Sequence, residues 1–284
     1  MANRQAGDEK ERHHGPTEHT GDTGDTGGTG GTGATGVAGE TGEAGHPAPA
    51  EHGRPRFGVP YDSATMQAVA AGTFSLLGEV WDILPGVFLP SLTHATAFFT
   101  RRLPYPEGGA FLELGCGAGV TAVHAAKAGC AQVLAADADP QATATARRNA
   151  ARHGAHRLRT ATGDAFDAVG PHDGPFDLIF WNLPYFSVPA GSSWARKGAR
   201  SLVDVDLHCL RACIGGARDH LAPRGRLFLG LGDVSDLTAL TTLAEAHGFR
   251  PRLVARGQGA PGTNLDASLE HLLYELDDLR TAAR

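Results

Sequence analysis

Glu113-Leu114-Gly115-Cys116-Gly117-Ala118-Gly119-Val120-Thr121 follows the short apolar run 110–114 (AFLEL) and leads into a helical pattern over 119–129. Glycine at alternate positions lets a chain leave a strand by a sharp turn and bring bare backbone close to a ligand. The spacing is G-x-G-x-G, not the G-x-G-x-x-G of dinucleotide-binding turns. A carboxylate, Glu113, stands two residues before the first glycine. The reading of this stretch decides the fold: it is the first strand-turn-helix unit of a repeating series.

Working outward, apolar strand candidates fall at 110–114, 132–136, 158–162, 177–181 and 226–230, with helical patterns at 119–129, 140–153, 201–222 and 234–247. Short apolar runs separated by helices imply a parallel sheet covered on both faces. The final segments 251–256 (PRLVAR) and 270–276 (EHLLYEL) have no helix between them and read as an antiparallel hairpin at the sheet edge. The fold class is therefore α/β: a doubly wound, mostly parallel sheet with a terminal antiparallel hairpin.

Upstream, residues 62–81 (DSATMQAVAAGTFSLLGEVW) have apolar spacing that predicts an amphipathic helix, LPGVFLP (84–90) reads as an extended turn, and Ser91 is placed to cap a helix through Arg102. Residues 57–105 are expected to form a small helical lid ahead of a main domain spanning 106–284. The first 56 residues contain no Phe, Trp, Tyr, Leu or Ile. Such a segment cannot offset the entropy of ordering its backbone. Glycine recurs at every third position from Gly21 to Gly45, a collagen-like period, yet no proline falls within it. The expectation for 1–56 is a disordered Gly-x-Thr tail.

Of 284 residues, 25 are Lys or Arg and 31 Asp or Glu, a net charge of −6. The tail holds 5 and 9 of these, which leaves 20 against 22 in the remainder. That balance argues against a broad basic surface for duplex nucleic acid. No stretch is long and apolar enough to span a bilayer, and the polar N-terminus lacks the apolar core of a secretory signal. Cys116, Cys130, Cys209 and Cys213 form no C-x-x-C pair. Reduced thiols in a cytoplasmic protein, with neither disulfide nor metal site, are the expectation. Asp204, Asp206 and His208 do not share one helical face and are assigned no metal.

Two further acids fall at strand ends. Asp137, after the second strand, is placed to accept both hydroxyls of a ribose, and Asp139 fits better as the cap of a helix beginning at Pro140. Gly163-Asp164-Ala165-Phe166 ends the third strand with an acid and an apolar side chain suited to a purine.

ELGCGAGVT, AADADP, TGDAF and a fourth-strand NLPY together resemble the class I S-adenosylmethionine-dependent methyltransferases, over about residues 84–276. The resemblance implies a seven-stranded Rossmann-like sheet and S-adenosyl-L-methionine as cofactor. By matching position it implies that Gly115, Gly117 and Gly119 line the methionine part beside Glu113. Asp137 takes the ribose, and Asp164 and Ala165 meet the adenine.

The fourth strand runs into Asn182-Leu183-Pro184-Tyr185. The Asn182 amide oxygen and the Leu183 carbonyl, which precedes a proline without an N–H, are two acceptors suited to an NH₂ group. Tyr185 offers a flat face for a planar amide or base. A planar nitrogen is a poor nucleophile. Hydrogen bonds from both its N–H groups would aim it at the methyl group and stabilise developing positive charge. Asn182 thus stands at both the acceptor and the cofactor side.

The motif is similar to the [ND]-P-P-[YFW] of amino-methyltransferases, with Leu183 for the first proline, and N-L-P-Y occurs in rRNA adenine dimethyltransferases. PGVF-x-P, ELGCGAGV and GRLFLGLGD look more like release-factor glutamine methyltransferases and rRNA guanine methyltransferases, which share a "small" methyltransferase domain; the helical N-terminal domain of the former is shortened here. The loop 186–200 carries Trp194, Arg196, Lys197 and Arg200, placed to contact a phosphate or carboxylate. The reading favours N-methylation of a protein glutamine-type amide. Alternatives are an RNA base, a small biosynthetic acceptor, or a non-catalytic cofactor-binding subunit; turn spacing disfavours a nicotinamide dehydrogenase. Oligomeric state is not legible.

Overall fold

Strands form where β-branched, aromatic and leucine side chains alternate between two faces that are both covered. Phe111 and Leu112 on successive positions of the first such run are both buried, one on each side of the sheet. The computed structural model describes residues 71–196, 201–258 and 269–280, the side chains of Trp194 and Arg196 excepted. The tail 1–56, residues 57–70, Lys197 and Arg200 lie outside them.

In chain order the elements are β1 (Gly72–Leu76), β2 (Glu79–Ile83), α1 (Ala95–Thr100), β3 (Ala110–Leu114), α2 (Val120–Lys127), β4 (Gln132–Asp137), α3 (Pro140–Arg152), β5 (Leu158–Thr162) and β6 (Phe176–Asn182). There follow β7 (Phe186–Val188), the single turn α4 (Ser193–Arg196), β8 (Val203–Val205), α5 (His208–His220), β9 (Leu221–Gly232), α6 (Leu237–Ala246), β10 (Phe249–Gln258) and β11 (Glu270–Asp278). Seven strands form one sheet in the order β10-β11-β9-β6-β3-β4-β5. The pairs β9–β6–β3–β4–β5 are parallel, and β11 runs antiparallel to both its neighbours. The doubly wound sheet with a terminal hairpin is the architecture expected from the sequence. One detail differs: β11 inserts between β9 and β10, so the first strand of the hairpin, β10, is the edge.

Two apolar layers cover the sheet. On one face Phe98 and Phe99 of α1 and Ala122 and Ala125 of α2 pack on Phe111, Val133, Phe180 and Phe228. On the other, Leu210 and Ile214 of α5 and Leu240 of α6 pack on Leu112, Leu134, Ile179 and Leu227. Among the described residues no helix is long and apolar enough to cross a membrane.

Over its described residues, 71–105, the N-terminal segment differs from the helical lid expected over 57–105. Where a helix was expected to reach residue 81, the chain forms the antiparallel hairpin β1–β2, closed by Leu77 (φ 56°) and Gly78 (φ 80°). Both central residues are left-handed, the geometry that matches the twist of a two-residue hairpin. Period two wins over period 3.6 because Phe74, Trp81 and Ile83 all reach one apolar cluster with Val120 and Val123 of α2 and Ala142 and Ala150 of α3. Ser91 caps no helix: it lies within a 3-10 turn at Pro90–Leu92, and α1 starts after His94 without a side-chain cap.

Asn149 fastens this hairpin to the domain. Its Oδ1 accepts from the Asp82 N–H (2.7 Å), while its Nδ2 donates to the Asp82 carbonyl (3.0 Å) and to the Ala118 carbonyl in the glycine turn (2.8 Å). The residue is wholly buried, so replacing it strands three backbone groups. Asn149→Ala is expected to lower the unfolding free energy by about 2–4 kcal/mol, read as a fall in the denaturant midpoint. An unchanged midpoint would mean that the hairpin does not depend on this residue.

Candidate cofactor and acceptor cleft

The C-terminal ends of β3, β4, β5 and β6 open onto a cleft of about 860 Å³. Crevices outside the carboxyl ends of parallel strands are where open α/β sheets bind ligands. Of the residues singled out from sequence, Glu113, Gly115, Gly117, Asp137, Asp164, Ala165, Asn182, Leu183, Pro184 and Tyr185 line it together.

The glycine turn leaves β3 with left-handed backbone at Gly115 (φ 60°), Gly117 (φ 52°) and Gly119 (φ 76°). A Cβ on Gly115 would run into the Trp181 indole, whereas at Gly117 it would enter open space. Gly119 is not in the cleft wall: a Cβ there would lie 2.6 Å from Ala146 Cβ, so this glycine serves the close approach of α2 to α3. The turn is tied to β4 by Cys116 N–H to the Ala136 carbonyl (3.0 Å) and Gly117 N–H to Asp137 Oδ2 (2.9 Å).

Asp137 also accepts the Asp139 N–H on Oδ1 (2.9 Å). The Ala138 N–H adds a third bond, so of the about four lone-pair sites of a carboxylate one remains for a ligand. Burial raises its pKa above the usual carboxylate value. Asp139 caps α3, its Oδ1 accepting from Gln141 N–H (2.8 Å), as Pro140 at the next position suggested. Asp164 is half-exposed and bonded to His208 Nε2 (2.7 Å), and Ala165 beside it holds a left-handed φ of 46°. Phe166 turns away from the cleft. It stacks on His220 (4.3 Å between centroids, 12° between planes), so the apolar neighbour expected for a purine is not this side chain.

Asn182 closes β6, and its Oδ1 is buried without a hydrogen-bond partner among the described residues. Leu183 N–H donates to the Gly230 carbonyl (3.0 Å), fixing the turn against β9. Tyr185 is held by a hydrogen bond between its hydroxyl and His271 Nδ1 (2.9 Å), and its ring lies so close to Gly232 that a Cβ there would sit 2.5 Å away.

Sequence reasoning missed several lining residues: Phe88, Thr93 and Phe99 from the N-terminal segment, Trp181, Asp204 and His208. The helix predicted over 201–222 starts only at His208, after β8. Asp204 is buried in that strand and caps α5 from there, accepting from Cys209 N–H (2.8 Å) and Leu210 N–H (3.1 Å). Asp206 accepts from Ala190 N–H (3.2 Å). Among the described lining residues there is no Lys or Arg.

Glu113 is buried at the floor of the cleft, where the Ala122 N–H (2.8 Å) and the Thr121 hydroxyl donate to it. Loss of solvation outweighs those bonds and raises its pKa from the usual 4.5 to about 8. The folded chain therefore holds a proton that the unfolded chain releases between those values. Its contribution favours folding at low pH and is lost as pH rises. Raising pH from 6 to 8 is expected to lower the unfolding free energy by about 2 kcal/mol through this group. Thermal melts of Glu113→Gln across the same range should be flatter; an equal slope in wild type and variant would assign the effect elsewhere.

Residues 111–204 match a family model described as "Methyltransferase domain". The chain is 33% identical over 173 residues to the release factor glutamine methyltransferase of Geobacter sulfurreducens, covering 57% of this chain and 58% of that protein. It is 38% identical over 103 residues to the ribosomal protein L11 methyltransferase of Pelotomaculum thermopropionicum, covering 35% and 32%. The chain thus spans little more than half of the first relative and about a third of the second. Among solved structures it is similar in fold to Trm5b from Pyrococcus abyssi (TM-score 0.50, 15% identity, 73% of this chain and 55% of that one). The match over residues 111–204, with these relatives, identifies a methyltransferase domain in the chain.

Proposed function

We propose that the chain is an S-adenosylmethionine-dependent N-methyltransferase acting on a planar amide nitrogen, of the protein glutamine type. The observation that carries this reading is the buried, partnerless Asn182 Oδ1 in the wall of the cleft. A buried acceptor without a donor is costly, and an incoming N–H relieves it. Asn182 with the Leu183 carbonyl offers a pair of acceptors to the two N–H groups of a primary amide. Tyr185, anchored through His271, supplies the face on which a planar group rests.

The residues present fit the cofactor. Gly117 leaves open space at the floor of the cleft, Asp137 stands in the lining with acceptor capacity left for a ribose hydroxyl, and Asp164 with Ala165 stands at the adenine end. Glu113 lies beneath the turn, where an ammonium or sulfonium charge would favour its ionised form. The bound cofactor supplies an electrophilic methyl group. Asn182 and Leu183 hold the acceptor nitrogen in line with it and bear the positive charge that builds on that nitrogen. No strong base is required before transfer, since the proton leaves an already charged nitrogen for water.

The absence of Lys and Arg from the described lining favours an uncharged acceptor over one whose phosphates enter the cleft. The names of the two relatives, both protein methyltransferases, point the same way.

Methyl-tritiated S-adenosylmethionine incubated with protein, RNA and small-molecule fractions should label protein, and Asn182→Ala should abolish the label while cofactor affinity stays within about twofold. Label in RNA alone would overturn the amide reading, and no label despite tight cofactor binding would favour a non-catalytic subunit. Asp137→Ala should do the reverse, weakening S-adenosylhomocysteine binding by about 1–3 kcal/mol in calorimetry.

A further inference from the structure

His271 of β11 is paired with Gly232 of β9 on one side and with Gly257 of β10 on the other. Residues directly opposite one another across antiparallel strands share a face of the sheet. In this row of three, therefore, only His271 raises a side chain, and aromatic rings fill the gaps beside it. A Cβ on Gly232 would sit 2.5 Å from the Tyr185 ring, and one on Gly257 would sit 2.6 Å from the Phe98 ring. The His271 imidazole stands between them, its centroid 6.0 Å from that of Tyr185 and 5.6 Å from that of Phe98, with Phe99 at 6.0 Å. It is wholly buried.

A leucine would fill so apolar a slot. What the imidazole adds is a polar atom, Nδ1, at 2.9 Å from the Tyr185 hydroxyl. That bond fixes the Tyr185 side chain at its far end, while Pro184 and the Leu183 bond to β9 fix the near end. One side of the ring rests on the bare backbone at Gly232, and Tyr185 lines the cleft. With its hydroxyl engaged by His271, Tyr185 presents ring carbons to an acceptor. His271 itself is not part of the cleft lining, so any influence it has on the acceptor passes through Tyr185.

We infer that His271 is a positioning residue for methyl transfer: through the Tyr185 hydroxyl it holds the ring on which the planar acceptor rests, at the angle that keeps the acceptor nitrogen in line with the methyl group. The inference rests on the amide reading.

It is tested on the full chain by initial rates of tritium transfer from methyl-tritiated S-adenosylmethionine, as the protein fraction is raised to saturation. His271→Leu should lower the saturated rate about tenfold while S-adenosylhomocysteine affinity stays within about twofold, the split expected when alignment and not cofactor binding is lost. Tyr185→Phe keeps the ring and loses only the bond; it should lose about as much, and the double variant no more than either. His271→Asn, which keeps a polar group near the Nδ1 position, should recover most of the rate. A full rate in His271→Leu or in Tyr185→Phe overturns the assignment, as does a double variant about tenfold slower than either single one. If His271→Leu melts early, Tyr185→Phe decides, since it leaves the buried imidazole in place. Failure of the wild-type chain to label protein overturns the amide reading instead, and the seat is then judged without substrate. The chain has four tyrosines. With isotope-labelled tyrosine, the ring resonance that disappears in Tyr185→Phe should shift in His271→Leu and stay in His271→Asn; a resonance unmoved in His271→Leu overturns the seat.

Discussion

The architecture of the cleft depends on backbone approaching side chains where a Cβ has no room. Gly115 lies against the Trp181 indole and Gly119 against Ala146, both in left-handed backbone that other residues enter only with strain. The first contact joins the turn after β3 to the end of β6, and Trp181 is the residue immediately before Asn182. The packing that shapes the turn therefore also sets where the Asn182–Tyr185 segment begins. The second sets α2 against α3, and with it the direction in which the N–H groups at the head of α2 point. Widening either contact would move both halves of the site at once, because close-packed interiors transmit displacements of a methyl group.

Around that contact the site is fixed from three sides. Asn149 binds the Ala118 carbonyl and both backbone groups of Asp82, so the hairpin and the glycine turn share one side chain. Asp137 binds the turn from β4. Beyond Asn182, the Leu183 bond to Gly230 and the Tyr185 bond to His271 attach the motif to β9 and β11. The insertion of β11 between β9 and β10 is what brings His271 within reach. A site built this way is pre-organised: its donors and acceptors are oriented before any ligand enters, which is where most of the catalytic effect of such groups arises.

How legible each part was in the sequence follows from the range of the interactions that fix it. The strands at 110–114 and 158–162 appear at those limits because each is a short run bounded by local turn residues. Asp139 was readable as a cap because capping spans two residues. The hairpin β1–β2 was not, since five-residue strands carry too few positions to separate period two from 3.6, and burial of Trp81 against helices about 40 to 70 residues later decided the matter. Asp204 looked helical because its capping role depends on a strand pairing with β7 that no local pattern announces. Phe166 was drawn away by His220, 54 positions on, and Tyr185 is anchored 86 positions away.

The charge of the cleft bears on turnover as well as binding. Glu113, Asp137, Asp139, Asp164 and Asp204 line it, and the described lining has no Lys or Arg to balance them. S-adenosylmethionine carries a sulfonium charge that its product lacks, since the methyl group leaves with the electron deficiency. Carboxylates near that sulfur attract the substrate form of the cofactor and lose that attraction after transfer, by an amount that grows as water is excluded. On the cofactor placement proposed above, the acidic lining would favour the charged cofactor over its product.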